Sequence, residues 1–118
     1  YHCLCVKTSR LVREALGWPE DKWITTFQSR FGPAEWLQPY TDKTLERLAS
    51  EEVERVAIMS PAFVCECIET LEEIAMEARE EFLESGGEEF TYIPCLNDDD
   101  SHTAFLGELI NNELQGWR

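Results

Sequence analysis

Residues 53–96 place two apolar runs, VERVAIMSPAF (53–63) and EFTYIPCL (89–96), on either side of one helix-like pattern. Both runs are rich in β-branched and aromatic residues and read as strands. Between them Ile68, Leu71, Ala75, Ala78 and Phe82 recur at spacings of three and four, and Gly86–Gly87 ends the pattern. A helix between two strands is the usual crossover of a right-handed βαβ unit, so the pair is expected to be parallel. The centre of the first run, Val56, Ala57, Ile58 and Met59, lacks alternation, which predicts a strand covered on both faces.

The flanking segments extend this scheme. Cys5, Val12, Ala15 and Leu16 give residues 3–16 one apolar face, and Gly17 followed by Pro19 predicts the end of a helix. KWITTFQS (22–29) reads as a further strand, and RFGPAEWLQPY (30–40), with one glycine and two prolines, as a shaped loop. Thr41 suits an N-cap, with Leu45, Leu48 and Ala49 on the buried face of a short helix. After NDDDS a last helix is expected over 102–115, offering Ala104, Leu106, Leu109, Ile110 and Leu114 to the core. The order helix, strand, helix, strand, helix, strand, helix predicts an α/β chain with a small parallel sheet flanked by helices. A length of 118 residues, 43% of them hydrophobic, fits one domain spanning 1–118. Ligands of an open α/β sheet bind beyond the carboxyl ends of its strands, which directs attention to 28–40, 60–69 and 94–102.

Twenty-four acidic residues against ten Lys and Arg give a formal charge of −14, and no local basic patch offsets it. That balance argues against nucleic acid as a partner. There is no apolar run long enough to span a bilayer and no leader with a small-residue cleavage site, so a soluble, cytoplasmic chain is expected. Five cysteines, an odd and sparse count, suit reduced thiols better than a disulfide framework.

Three constellations could carry chemistry. Glu69, Glu73 and Glu77 form one helical stripe, with Glu66 falling within it, while Glu72, Glu80 and Glu81 fall on a wetted face. By periodicity the stripe too reads as a solvated face. The alternative is a row of hard oxygen ligands whose mutual repulsion raises some of their pKa values, able to pass a divalent cation or protons along the helix. A wider helical turn would bring that row into register with a cleft. The second constellation is the loop 28–40, in which Trp36 either packs on a sheet edge or forms an apolar wall for a flat ligand, with Gln28, Ser29 and Tyr40 as polar contacts. The third is the two Cys-x-Cys pairs, Cys3/Cys5 and Cys65/Cys67, with Cys95 alone. They lack the usual zinc spacing and read as small packed thiols. His2 and His102 read as a surface group or a cap rather than as catalysts.

TTFQSRFGPAEWLQPYTDKTLERL, VAIMSPAFVCECIETLEEI and FTYIPCLND, in this order and spacing, closely resemble the C-terminal half of bacterial ferrochelatases. The opening YHCLCVKTSRLV looks like the stretch that follows the family's catalytic-histidine loop. The resemblance implies a three-layer chelatase-like half domain lacking the N-terminal domain, and insertion of Fe²⁺ into protoporphyrin IX to form protoheme. It implies Glu69 as the catalytic carboxylate of the family's acidic motif, Glu73 and Glu77 as a metal or proton relay, and Gln28, Ser29 and Trp36 as porphyrin-binding residues. Cys67 stands where some members carry a histidine.

No tightly bound cofactor and no iron–sulfur cluster are expected, ferrous iron being a substrate. The catalytic histidine, in a His-Gly-x-Pro loop, would precede Tyr1, and His2 does not match it. The isolated chain is therefore expected to be inactive, with the missing half or self-association completing the cleft. Peripheral membrane association of a full-length protein remains open on this reading. The alternatives are a chelatase acting on another tetrapyrrole and a non-enzymatic metal- or porphyrin-binding module.

Overall fold

The computed structural model describes residues 1–29 and 32–117. Arg30 and Phe31, the first residues of the expected loop, lie outside the described residues, as does Arg118. Helix α1 spans His2–Leu16 and α2 spans Thr41–Ser50; strand β1 is Arg55–Met59 and β2 is Glu89–Ile93. Between the strands lies α3, a π-helix over Glu69–Ala78 that runs directly into an α-helical turn over Arg79–Glu84, and α4 spans Asp100–Glu113. β1 and β2 pair in parallel, with Arg55 opposite Glu89 and Met59 opposite Ile93. The chain is thus α/β, with a small parallel sheet and helices packed on one of its faces.

Local chemistry accounts for most boundaries. Gly17 closes α1 at φ 69°, its N–H bonding to the Glu14 carbonyl while that of Trp18 reaches back to Arg13, each at 3.1 Å. This is the left-handed cap for which glycine carries no steric cost. Asp99 caps α4, its carboxylate accepting from the backbone N–H groups of Ser101 and His102. Thr41, in contrast, is not the cap expected of it. Tyr40 holds that position, and the Thr41 hydroxyl donates to Thr26 Oγ1 at 2.9 Å instead.

The core joins α2 to α3. Leu45, Ala49, Ile74, Ala78 and Phe82 are buried, with Val56, Ile58, Phe90 and Tyr92 of the sheet packed against them. A Cβ at Gly87 would lie 2.1 Å from the Phe82 ring, so glycine is needed where the chain turns back toward β2. The buried line of α3 is Thr70, Ile74, Ala78 and Phe82, whereas Ile68 and Leu71, expected in the core, are exposed. Widening a helix from α to π changes which residues share a face, and an α period misplaces them.

Three further expectations are corrected. Residues 22–29 do not form a strand; Phe27 makes a single parallel bridge to Tyr40. Side chains hold this extended segment instead: Trp23 Nε1 donates to Ser9 Oγ at 2.8 Å, and Ser9 Oγ lies 2.5 Å from Thr25 Oγ1. β1 alternates between half-buried Val56 and Ile58 and exposed Arg55 and Ala57, so α2 and α3 cover one face only. α4 contributes one buried residue, His102, while Phe105, Leu109 and Ile110 remain exposed. The Cα radius of gyration, 16.7 Å, exceeds the roughly 13.5 Å of a compact chain of this length. No described helix is long and apolar enough to cross a membrane.

Candidate functional site

A cleft of about 590 Å³ runs between the loop that follows Phe27, the start of α2 and the π-helix. Its size falls within the range of small-molecule sites. Phe27, Trp36, Tyr40, Ile74 and Ala78 give it apolar walls, and Glu73, Glu77 and Glu81 line up along one side. Gln28 and Ser29 face these carboxylates. The indole Nε1–H of Trp36 is buried and finds no hydrogen-bond partner among the described residues. A buried donor of this kind accommodates an acceptor from a ligand.

The loop and helix are joined by polar contacts. Gln28 Nε2 donates to the Glu69 carbonyl at 3.0 Å and to Glu73 Oε2 at 3.4 Å. The Ser29 hydroxyl donates to the same Glu73 oxygen. Ser29 reaches it from a left-handed backbone at φ 58°, which costs a non-glycine residue on the order of 1 kcal/mol. Glu73 is therefore a half-buried carboxylate fixed by two donors.

Of the residues picked out by sequence, Gln28, Ser29, Trp36, Glu73 and Glu77 share this cleft. Glu69 sits one turn away at the start of the π-helix. A hydrogen bond from the Cys67 thiol, aided by its own backbone N–H, holds the Glu69 carboxyl below its ordinary value. On the reading of the row as ligands, some of its carboxyls were expected to be raised; Glu69 is not one of them. Among the described residues no three His, Cys, Asp or Glu side chains converge to hold a metal ion, so the carboxylates form a line rather than a cage.

Glu81 was expected on the wetted face, yet it continues the line at the same four-residue step and lines the cleft. Burial, and then a hydrogen bond with Glu46 of α2, pushes its carboxyl up. Glu46 is itself held down, first by Lys43, whose Nζ lies 2.5 Å from Glu46 Oε1. The four-residue spacing was the signal that could have found Glu81; an α-helical rotation concealed it.

Glu66, expected in the stripe, lies outside the helix. Its Oε2 accepts from the Thr70 hydroxyl at 2.5 Å and the Tyr92 hydroxyl at 2.7 Å, and its Oε1 from the Cys95 N–H at 2.8 Å. These donors, Thr70 first, hold its carboxyl below the ordinary range. Desolvation, with the Glu66 bond, pushes the Tyr92 phenol well up, and burial raises the Cys95 thiol. His102 is a buried structural group rather than a surface one, its Nδ1 lying 2.9 Å from the Asn97 carbonyl. His2 stacks on Phe27 with ring centroids 5.5 Å apart.

A π-helix carrying an acidic line against an aromatic loop, beside a small parallel sheet, defines a chelatase-like α/β protein. The family model described as Ferrochelatase matches residues 1–114. Proteins named ferrochelatase from Agrobacterium fabrum, Allorhizobium ampelinum and Rhizobium meliloti are 62%, 60% and 59% identical over 117 residues. Each match covers 99% of this chain and 34% of the relative, within the relative's C-terminal portion. The chain belongs to the ferrochelatase family, and it spans about a third of the length of the curated relatives it matches.

Proposed function

We propose that this chain forms one wall of a ferrochelatase active site, serving insertion of Fe²⁺ into protoporphyrin IX, and that the 118 residues alone are inactive. The observation that carries this reading is the cleft itself, about 590 Å³, where Gln28, Ser29 and Trp36 share one lining with Glu73 and Glu77. Family membership supplies the reaction class.

Insertion exchanges two pyrrole protons for one Fe²⁺, which must also shed its water. An aromatic wall at Trp36 and Phe27 holds the ring, and carboxylates on one side receive the protons. Glu69, its carboxyl held below the ordinary value, is ionised at neutral pH and so better suited to meeting the cation than to acting as a strong base. Glu73 and Glu77 then carry charge along the helix. Iron is a substrate on this account, no resident cofactor is needed, and the reaction is assigned to the cytoplasmic side of the cell.

Anaerobic Fe²⁺ insertion by the 118-residue chain and by a full-length chain containing it tests the reading. Activity confined to the full-length chain is the expected result. A full-length chain that binds porphyrin, seen as a Soret shift, without metallating it would favour a binding module instead.

A further inference from the structure

Glu66 is more heavily engaged than any carboxylate of the cleft, and it touches three elements. Through Oε2 it grips Thr70 in the first turn of the π-helix and Tyr92 in β2; through Oε1 it grips the Cys95 N–H in the loop beyond β2. Thr70 is fully buried, and its Oγ1 also accepts the Cys67 N–H at 2.9 Å. The Glu66 N–H donates to Asn97 Oδ1 at 2.9 Å, and the Asn97 N–H donates to the Val64 carbonyl at 2.9 Å. With both carboxylate oxygens occupied by protein donors, Glu66 has little capacity left for a metal ion. The residue preceding the π-helix, Ile68, contributes no side-chain cap; the N–H groups of Thr70 and Leu71 bond the Cys67 carbonyl at 3.2 and 2.9 Å, and the Glu66 network ties this first turn to β2 and the loop beyond it.

Glu69 lies between the two points that the network fixes. Thr70 follows it directly, and Cys67, whose N–H donates to the Thr70 hydroxyl oxygen, precedes it by two residues; the Glu69 carbonyl itself accepts from Gln28 Nε2 at 3.0 Å. We propose that Glu66 and Thr70 are positioning residues for Glu69: together they lock the 66–70 turn to β2 and the 95–97 loop, so that the Glu69 carboxylate has one fixed place. The catalytic part of this inference rests on the ferrochelatase reading. Misplacing a reacting group by about an ångström costs up to about a hundredfold in rate.

The test uses a full-length chain containing this segment and three variants. Thr70→Val and Glu66→Gln should lower kcat about tenfold or more with the porphyrin KM nearly unchanged, whereas Thr70→Ser, which keeps the hydroxyl, should restore most of kcat. Amide exchange, read by NMR in the same proteins, should quicken at Cys67 in Thr70→Val and at Cys95 in Glu66→Gln. Unchanged kcat in both Thr70→Val and Glu66→Gln overturns the proposal, as does a parallel change in kcat and KM. Should the unsubstituted protein insert no iron, the ferrochelatase reading fails on its own. The exchange data then decide the network, and unchanged exchange at Cys67 and Cys95 overturns it.

Discussion

The side-chain amide of Gln28 donates to the main-chain carbonyl of Glu69 at 3.0 Å, joining the loop after Phe27 to the first residue of the π-helix. The same amide reaches Glu73, so one side chain fixes both the backbone and a carboxylate of the acidic line. Gln28→Leu keeps the bulk and removes both bonds. It should destabilise the protein by about 1–2 kcal/mol, read as a lower melting temperature, and Gln28→Glu should cost more because it sets a second negative charge beside Glu73.

Ser29 combines a left-handed backbone with a hydroxyl bond to Glu73, and two substitutions separate these effects. Ser29→Ala loses the hydroxyl and keeps the strain; Ser29→Gly loses both. The alanine variant should therefore melt below the glycine variant, by a difference on the order of 1 kcal/mol. The reverse order would mean that the φ of Ser29 carries no strain.

Phe82 has no exposed surface, and Gly87 leaves room for its ring. Phe82→Ala should cost about 3–5 kcal/mol, and Gly87→Ala about 1–3 kcal/mol by forcing the ring aside. Because the two share one space, a Phe82→Leu/Gly87→Ala double variant should lose less than the sum of its single variants in chemical denaturation.

The folded-state pKa of Glu66 lies below its ordinary value of 4.5. Its contribution to stability is thus fully present above about pH 4.5 and is lost as pH falls through the folded-state value. Glu66→Gln should flatten the acid side of the melting-temperature profile and lower the melting temperature at neutral pH. A parallel downward shift with the acid slope intact would contradict that assignment.

Much of the fold was legible because it is local. The α1 pattern with its Gly17 stop, the two apolar runs and the Gly86–Gly87 turn each predict what is found. Residues 22–29 misled because β-branched and aromatic residues also suit an extended segment held by side chains, here Ser9 and Thr41. The π-helix was legible only as an option that would bring the acidic row to a cleft. Choosing it would have moved the buried line to Thr70, Ile74, Ala78 and Phe82 and put Glu81 with Glu73 and Glu77. The Glu66 network was not legible, since its donors Tyr92 and Cys95 lie 26 and 29 residues away in sequence.

The most direct test is the initial rate of anaerobic Fe²⁺ insertion into protoporphyrin IX by a full-length chain containing residues 1–118, compared with its Glu69→Gln variant. Glu69→Gln removes the side-chain charge while leaving the main-chain bond from Gln28 and the aromatic side of the cleft in place. Loss of insertion with porphyrin binding retained is the predicted result; a variant that metallates porphyrin at the unsubstituted rate contradicts the account.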